Sequence, residues 1–260
     1  MKDSNIPLTI ITVTFNAEDE IVPTLDSIKK QKDKNFELII VDGLSKDKTL
    51  KLVEQSGLAN TIISEKDSGI YDAMNKGVKK AKGKYIYFLN AGDIFYTEET
   101  TQTLNKVISK CEDDIIYGKV KLVINDKFKV FEPCNSKNAW KKMPFSHQGC
   151  LIKTTYHKSN LYNLYYKISA DYDLLYKSII NDATLKEIDT IFAIATPGGV
   201  SDIRRYTAIC NRWKTINNYT PKIKYNIYYI YLLLDAFLRI NIKKILPNKI
   251  VNYIRLKKYK

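Results

Sequence analysis

Residues 85–93 read YIYFLNAGD: strand-forming apolar residues from Tyr85 to Leu89, then Asn90, two small residues and a carboxylate, Asp93. A run with no polar alternation asks for burial on both faces, as in a parallel sheet. Three upstream stretches, LTIITVTF (8–15), FELIIVD (36–42) and NTIISE (60–65), have the same character. Between them lie helical patterns: residues 16–31, where Ile21, Leu25 and Ile28 recur at helical spacing; a short helix that Ser45 would cap and Gly57 would stop; and GIYDAMNKGVKKAKG (69–83). The alternation βαβαβαβ predicts an α/β domain around a parallel, doubly wound sheet.

In such a sheet ligands sit beyond the carboxyl ends of the strands. This chain sends polar residues there repeatedly: Phe15-Asn16 after the first strand, Asp42-Gly43 after the second, Glu65 to Gly69 after the third, and Asp93 after the fourth. Asp42-Gly43 alone is ordinary turn chemistry. Acids gathered at one rim repel one another unless a cation or hydrogen-bonding ligand joins them, and a nucleotide with a divalent metal supplies both. No GxGxxG or GxxxxGK[ST] occurs, so dinucleotide and P-loop readings lack support.

The second half is less regular. DDIIYGKVKLV (113–123) and KFKVFEP (127–133) predict antiparallel strands around Asn125-Asp126. SHQGCLI (146–152) reads as a strand, residues 171–181 as a helix, 184–195 as a strand pair or one long strand, and 201–218 as a helix. The simplest partition is a catalytic domain over 1–200, its halves 1–95 and 96–200, and a basic helical extension over 201–260.

Charge is unevenly placed. From Asp202 onward the chain has fourteen Lys and Arg against two acids, so +12 of the formal +14 lies there and the body is near neutral. IYYIYLLL (227–234) and the lysine-spaced apolar residues after it form an amphipathic pattern, which predicts a helix on an anionic membrane surface; a helix packed on the domain is the alternative. A nucleic-acid-binding basic protein is the rival from another class, but an acidic rim repels a phosphate backbone, so no nucleic-acid partner is expected. Four widely spaced cysteines without a CxxC pair fit a reducing cytosol. The sequence also predicts no signal peptide and no membrane span.

Taken together, ITVTFN, VDGLSKDKT, EKDSGIYDAMNKG and YIYFLNAGD resemble the family 2 glycosyltransferases of GT-A fold, most of all bacterial members that assemble surface polysaccharides such as O-antigen and capsule. The likeness covers residues 7–95 and resumes at FSHQG (145–149), ISADYDLL (168–175) and GGVS (198–201). It implies a Rossmann-like, mostly parallel sheet and an inverting transfer of a hexose-type sugar from a nucleotide sugar, a UDP-sugar by default, to a hydroxyl of a polyprenyl-diphosphate-linked glycan. The place implied is the cytoplasmic face of the cell membrane.

The same resemblance implies roles. Phe15 and Asn16 lie near the base, Asp42 accepts from it, and Asp67, Gly69, Asp72, Asn75 and Gly92 line the rest of the donor pocket. Asp93 holds Mg²⁺ or Mn²⁺. Asn90, Ala91 and Gly92 stand where acids often precede it, which leaves a non-catalytic relative as an alternative. Asp171 aligns with the general base, with Asp173 second; His147 and Gln148 fall on the acceptor or diphosphate side.

Overall fold

The computed structural model describes residues 6–124, 127–134, 136–195 and 205–245. The GGVS motif (198–201), the turn residues Asn125-Asp126 and the tail from residue 246 lie outside the described residues. The chain divides into two compact units, Met1–Thr196 and Pro197–Lys260.

The first unit is built on one sheet. Strands β1 (Leu8–Thr14), β2 (Phe36–Asp42), β3 (Thr61–Ser64) and β4 (Tyr85–Phe88) run parallel in the order β3-β2-β1-β4. Helices α1 (Glu18–Lys29), α2 (Thr49–Ser56) and α3 (Ile70–Lys80) make the crossovers. Every residue of β1 and β4 is buried, because both faces carry a core. Ile11, Val13, Ile39, Val41, Ile86 and Phe88 meet Met74 and Val78 of α3 on one face. Leu8, Ile10, Leu38, Ile40, Tyr85 and Tyr87 meet Ile21, Leu25 and Ile28 of α1 on the other. Each such side chain contributes about 1.5–3 kcal/mol on burial, so the two-faced core fixes the strand register.

Beyond β4 the sheet becomes mixed. Strand β8 (Cys150–Lys153) pairs antiparallel with β4 and with β6 (Ile115–Ile124), and β6 also pairs with β7 (Lys127–Phe131) antiparallel and with β9 (Leu185–Ala195) in parallel. The short β5 (Ile94–Phe95) closes the far edge against β9. Helices α4 (Thr100–Ile108), α5 (Thr154–Ser159) and α6 (Ala170–Ile180) complete the unit. Residues 184–195 thus form one long strand from Leu185. His147–Gly149, expected inside a strand, form a 3₁₀ turn, and the strand starts only at Cys150. Gly149 permits this close packing: a Cβ there would lie 2.9 Å from the Gly118 carbonyl oxygen, so the turn presses on β6. Ser45 is not a helix cap either, since α2 begins at Thr49, whose N–H donates to Asp47 Oδ1 at 3.0 Å.

The second unit contains helices α7 (Arg205–Tyr219) and α8 (Ile223–Ile245). Trp213 joins them, donating from Nε1 to Asn226 Oδ1 at 2.6 Å. Ile223, Ile227, Ile230, Leu234 and Leu238 recur every three or four residues and are all exposed, leaving an apolar stripe along α8.

Thr24 ties the α1 core to the rim. Its buried hydroxyl accepts the Gly92 N–H at 3.0 Å and donates to the Asp93 carbonyl at 2.8 Å, pinning the turn after β4. Replacing Thr24 with the isosteric Val leaves both groups without that partner. Urea denaturation is expected to show a loss of about 1–3 kcal/mol.

Candidate active site

Three strand ends meet at one rim. Phe15, the first residue past β1, is 60% exposed. Asn16 adopts φ +46°, a conformation its short amide tolerates, and its Oδ1 accepts the Lys46 N–H at 2.8 Å. Its own N–H donates to Ser45 Oγ at 2.8 Å. Asp42 is fully buried at the end of β2, where it accepts the Ser45 hydroxyl, the Ser45 N–H at 3.1 Å and the Ser64 hydroxyl at 2.7 Å. Its carboxylate therefore already organises the 43–48 loop. Gly43 lies close to both neighbours: a Cβ there would fall 2.5 Å from Asp67 Oδ2 and 3.2 Å from the Phe15 ring, so those side chains would have to move aside. Phe15, Asp42 and Asp67 are thus brought together.

The turn into α3 is held by its own acids. Asp67 Oδ1 accepts the Gly69 N–H at 2.9 Å and Asp72 Oδ2 accepts the Ser68 N–H at 3.0 Å. Gly69 has φ +128°, open mainly to glycine. Lys76 lies 3.0 Å from Glu65 and 3.9 Å from Asp72. Asn75 is placed elsewhere. It is buried, donating from Nδ2 to the Tyr162 carbonyl and accepting the Tyr162 N–H, each at 2.9 Å. Both ends of its amide are engaged with backbone, which pins the 160s loop to α3.

The remaining residues converge below β4. Asp171, in the first turn of α6, accepts the Tyr71 hydroxyl at Oδ1, 2.9 Å away, and lies 3.5 Å from His147 Nδ1 through Oδ2. Burial pushes the Asp171 carboxyl up, but the hydrogen bonds and charge of His147, with the Tyr71 hydroxyl, outweigh it and hold the group below its ordinary value. Burial pulls the His147 imidazole down, while Asp171 and the charge of Asp93 leave it raised on balance. Asp93 itself is 7% exposed, and burial drives its carboxyl up to about 6 against the opposing His147 charge and a Gln148 hydrogen bond. Gln148 is fixed in turn by Tyr87, whose hydroxyl donates to its carbonyl at 2.8 Å. His147 Nε2 is buried with no hydrogen-bond partner among the described residues.

Gly92 has φ +93° and serves the turn rather than an open surface, its N–H directed to Thr24 and the Glu20 carbonyl. Asp173 is buried two residues along α6 from Asp171, and side chains so spaced leave a helix on different faces. Ser45, Ser64 and Tyr71 were not legible as site residues. Tyr71 stands inside a recognisable motif, but its partner is a hundred positions away in sequence.

For a divalent cation, Asp93 offers one carboxylate. No group of three or more His, Cys, Asp or Glu among the described residues is arranged to hold a metal. Mg²⁺ and Mn²⁺ keep several waters and take further oxygens from substrate phosphates. One buried acid with a raised pKa, beside an unpartnered buried imidazole nitrogen, fits that chemistry.

The family described as Glycosyl transferase family 2 matches residues 9–169. A PGL/p-HBAD biosynthesis glycosyltransferase of Mycobacterium tuberculosis is 32% identical over 180 residues, covering 67% of this chain and 70% of that protein. The amylovoran biosynthesis glycosyltransferase AmsB of Erwinia amylovora is 34% identical over 140 residues, covering 49% of this chain and 45% of AmsB. Among solved structures, Staphylococcus aureus TarS superposes with a TM-score of 0.65 at 22% identity, covering 88% of this chain and 43% of that one. A TarS 1–349 complex with UDP-GlcNAc gives 0.65 at 21% identity, over 88% of this chain and 71% of that one. The mannosyltransferase PcManGT of Pyrobaculum calidifontis, with GDP-Man and Mn²⁺, gives 0.59 at 18% identity, over 81% and 63%. At these identities the structural likeness establishes a GT-A-like architecture, and with the family match the conclusion is that this chain belongs to glycosyl transferase family 2.

Proposed function

We propose that the chain is an inverting glycosyltransferase that moves a sugar from a nucleotide sugar, first of all a UDP-sugar, to a hydroxyl of a polyprenyl-diphosphate-linked glycan in surface polysaccharide assembly. One arrangement carries the reading: two buried acids share one histidine, Asp171 held by the Tyr71 hydroxyl at 2.9 Å and by His147 Nδ1 at 3.5 Å, and Asp93 with too few donors to offset its burial. Only an ionised carboxylate can take a proton, and Asp171 is held in that form; an acid destabilised by burial suits a partner cation.

Asp171 takes the proton of the acceptor hydroxyl as its oxygen bonds to the anomeric carbon, and the bond from that carbon to the diphosphate oxygen breaks. A single base opposite the leaving group gives inversion. Asp93 would hold the divalent cation, which when bound supplies Lewis-acid neutralisation of the diphosphate. His147 Nε2 is available to the same diphosphate. Phe15 offers an exposed ring face to the base, Asp42 an acceptor for an imide N–H, and Asp67 and Gly69 a backbone-lined edge. Asp72 and Gly92 shape this edge and the turn before Asp93, Gln148 orients Asp93, and Asn75 and Asp173 act from within the core. A UDP-GlcNAc complex of TarS supports the donor class, and the amylovoran biosynthesis named for AmsB supports a place in polysaccharide assembly.

No helix among the described residues is long and apolar enough to cross a membrane. We place the extension on the inner membrane surface peripherally, supported by the exposed stripe of α8 and the basic charge of residues 202–260.

Three measurements test this. Calorimetry with UDP-, GDP- and dTDP-sugars and Mn²⁺ is expected to give heat with one class; Asp171→Asn keeps that heat but lowers transfer at least about a hundredfold. Loss of donor binding in that variant, or full transfer, refutes its role as base.

The second follows from the sign of the Asp93 shift. A folded value of about 6 against an ordinary 3.8 means that the folded state favours the protonated acid. The contribution of Asp93 to the stability of the free protein then falls as pH rises between about 4 and about 6. Asp93→Asn, which cannot ionise, is expected to melt higher than the parent above about pH 6 and equally below about pH 4. With Mn²⁺ and the donor present, the parent should regain the advantage.

Third, Leu234→Glu on the α8 stripe is expected to weaken sedimentation with phosphatidylglycerol vesicles about tenfold. Unchanged sedimentation removes the membrane assignment.

A further inference from the structure

Tyr71 reaches with its hydroxyl from the donor loop to the proposed base. It lies in the first turn of α3, two residues past Gly69 and beside Asp72. Its hydroxyl donates to Asp171 Oδ1 at 2.9 Å and accepts the Ser169 N–H at 3.2 Å. Ser169 adopts φ +76°, a costly conformation for a residue with a side chain, at the point where the chain enters α6. The Tyr71 ring packs against Tyr162 with centroids 5.2 Å apart, and Tyr162 is anchored through its backbone to Asn75, one turn further along α3.

We propose that Tyr71 is a positioning residue that couples seating of the nucleotide on the Asp67–Gly69 loop to the orientation of Asp171; this rests on the reading of Asp171 as base. The carboxylate has about four acceptor directions. Tyr71 takes one on Oδ1 and His147 one on Oδ2, and the Tyr172 backbone N–H also bonds the carboxylate, so the plane of the group is fixed and one direction is left for the acceptor hydroxyl. The phenol is well suited to a permanent donor, because burial and the Asp171 charge push its pKa well above 10. Any displacement of the α3 first turn by a bound nucleotide is passed directly to Asp171 and to the strained Ser169. His147 provides no such link, as its turn belongs to the β8 side of the sheet.

The test is the Asp171 carboxyl ¹³C resonance on the full chain, assigned by its loss in Asp171→Asn: its titration midpoint in the free protein, and its chemical shift at about pH 7 without and with saturating UDP, GDP or dTDP and Mg²⁺. The titratable groups facing Asp171 are Tyr71, His147, Tyr162 and Cys150, with Asp93 acting on the same histidine and Asp173 on the same helix. In the parent, one nucleotide is expected to move the Asp171 resonance at that pH. In Tyr71→Phe the midpoint without nucleotide should rise by about half a pH unit or more, and the nucleotide should no longer move the resonance. Replacing Tyr71 by 3-fluorotyrosine, which keeps the shape but donates more strongly, should move the midpoint the opposite way and decides the matter if Tyr71→Phe does not fold. Nucleotide binding with an Asp171 midpoint indifferent to both substitutions overturns the coupling and leaves the base reading intact. Spectra unchanged by all three nucleotides overturn the donor reading and the coupling together.

Discussion

In-register parallel pairing is the constraint from which the site follows. Leu8 faces Phe36 and Tyr85 across β1, and the register continues to Thr14 opposite Asp42. Parallel strands must all end on the same side, so Phe15, Asp42, the 65–69 turn and Asp93 are delivered to one rim by topology alone. The register is not free to slip, because shifting a strand by one residue would exchange its two buried faces against differently shaped cores. The rim is therefore as well determined as the hydrophobic layers beneath it, although few of its side chains are buried with apolar partners.

What the sheet assembles, local hydrogen bonding then differentiates. Asp42, Asp93 and Asp171 are all acids in or near a buried environment, yet their surroundings differ in kind. Asp42 receives hydroxyl and amide donors from Ser45 and Ser64. Asp171 receives a phenol and an imidazole. Asp93 has a Gln148 contact and the field of His147, too little to offset its burial. Desolvation is common to Asp93 and Asp171, so the difference between them is set by donors and not by depth.

Much of this was legible in the chain. The apolar run of β4 and the β-branched, apolar-rich stretches of β1 and β2 read as buried strands, and Gly57 ends α2 in the left-handed conformation, φ +63°, as a stop residue should. The misreadings have tertiary causes. Residues 100–108 give no reading at all: TTQTLNKVI of α4 is threonine-rich and weak in helix formers, and it is helical because Leu104 and Ile108 are buried. HQG has no local signal that separates a 3₁₀ turn from the start of a strand; contact with Gly118 and the bond from Tyr87 decide it. Asn75 looks like polar decoration on a helix until Tyr162, eighty-seven residues away, supplies a matching pair of backbone groups.

Backbone strain follows the same geography. Asn16, Leu44 and Ser169 are three of the four described non-glycine residues with positive φ; the first two border the Asp42 loop and the third precedes Asp171. Such conformations cost about 1–3 kcal/mol each and persist only where surrounding contacts over-determine them. Asn16 is held by Lys46 and Ser45, and Ser169 by Tyr71. The bonds that retain this strain come from Ser45, Lys46 and Tyr71, residues next to the Asp42 loop and to Asp171. The rim is thus fixed at its strand ends by register and at its turns by hydrogen bonds, so the side chains proposed to act there are held before any ligand arrives.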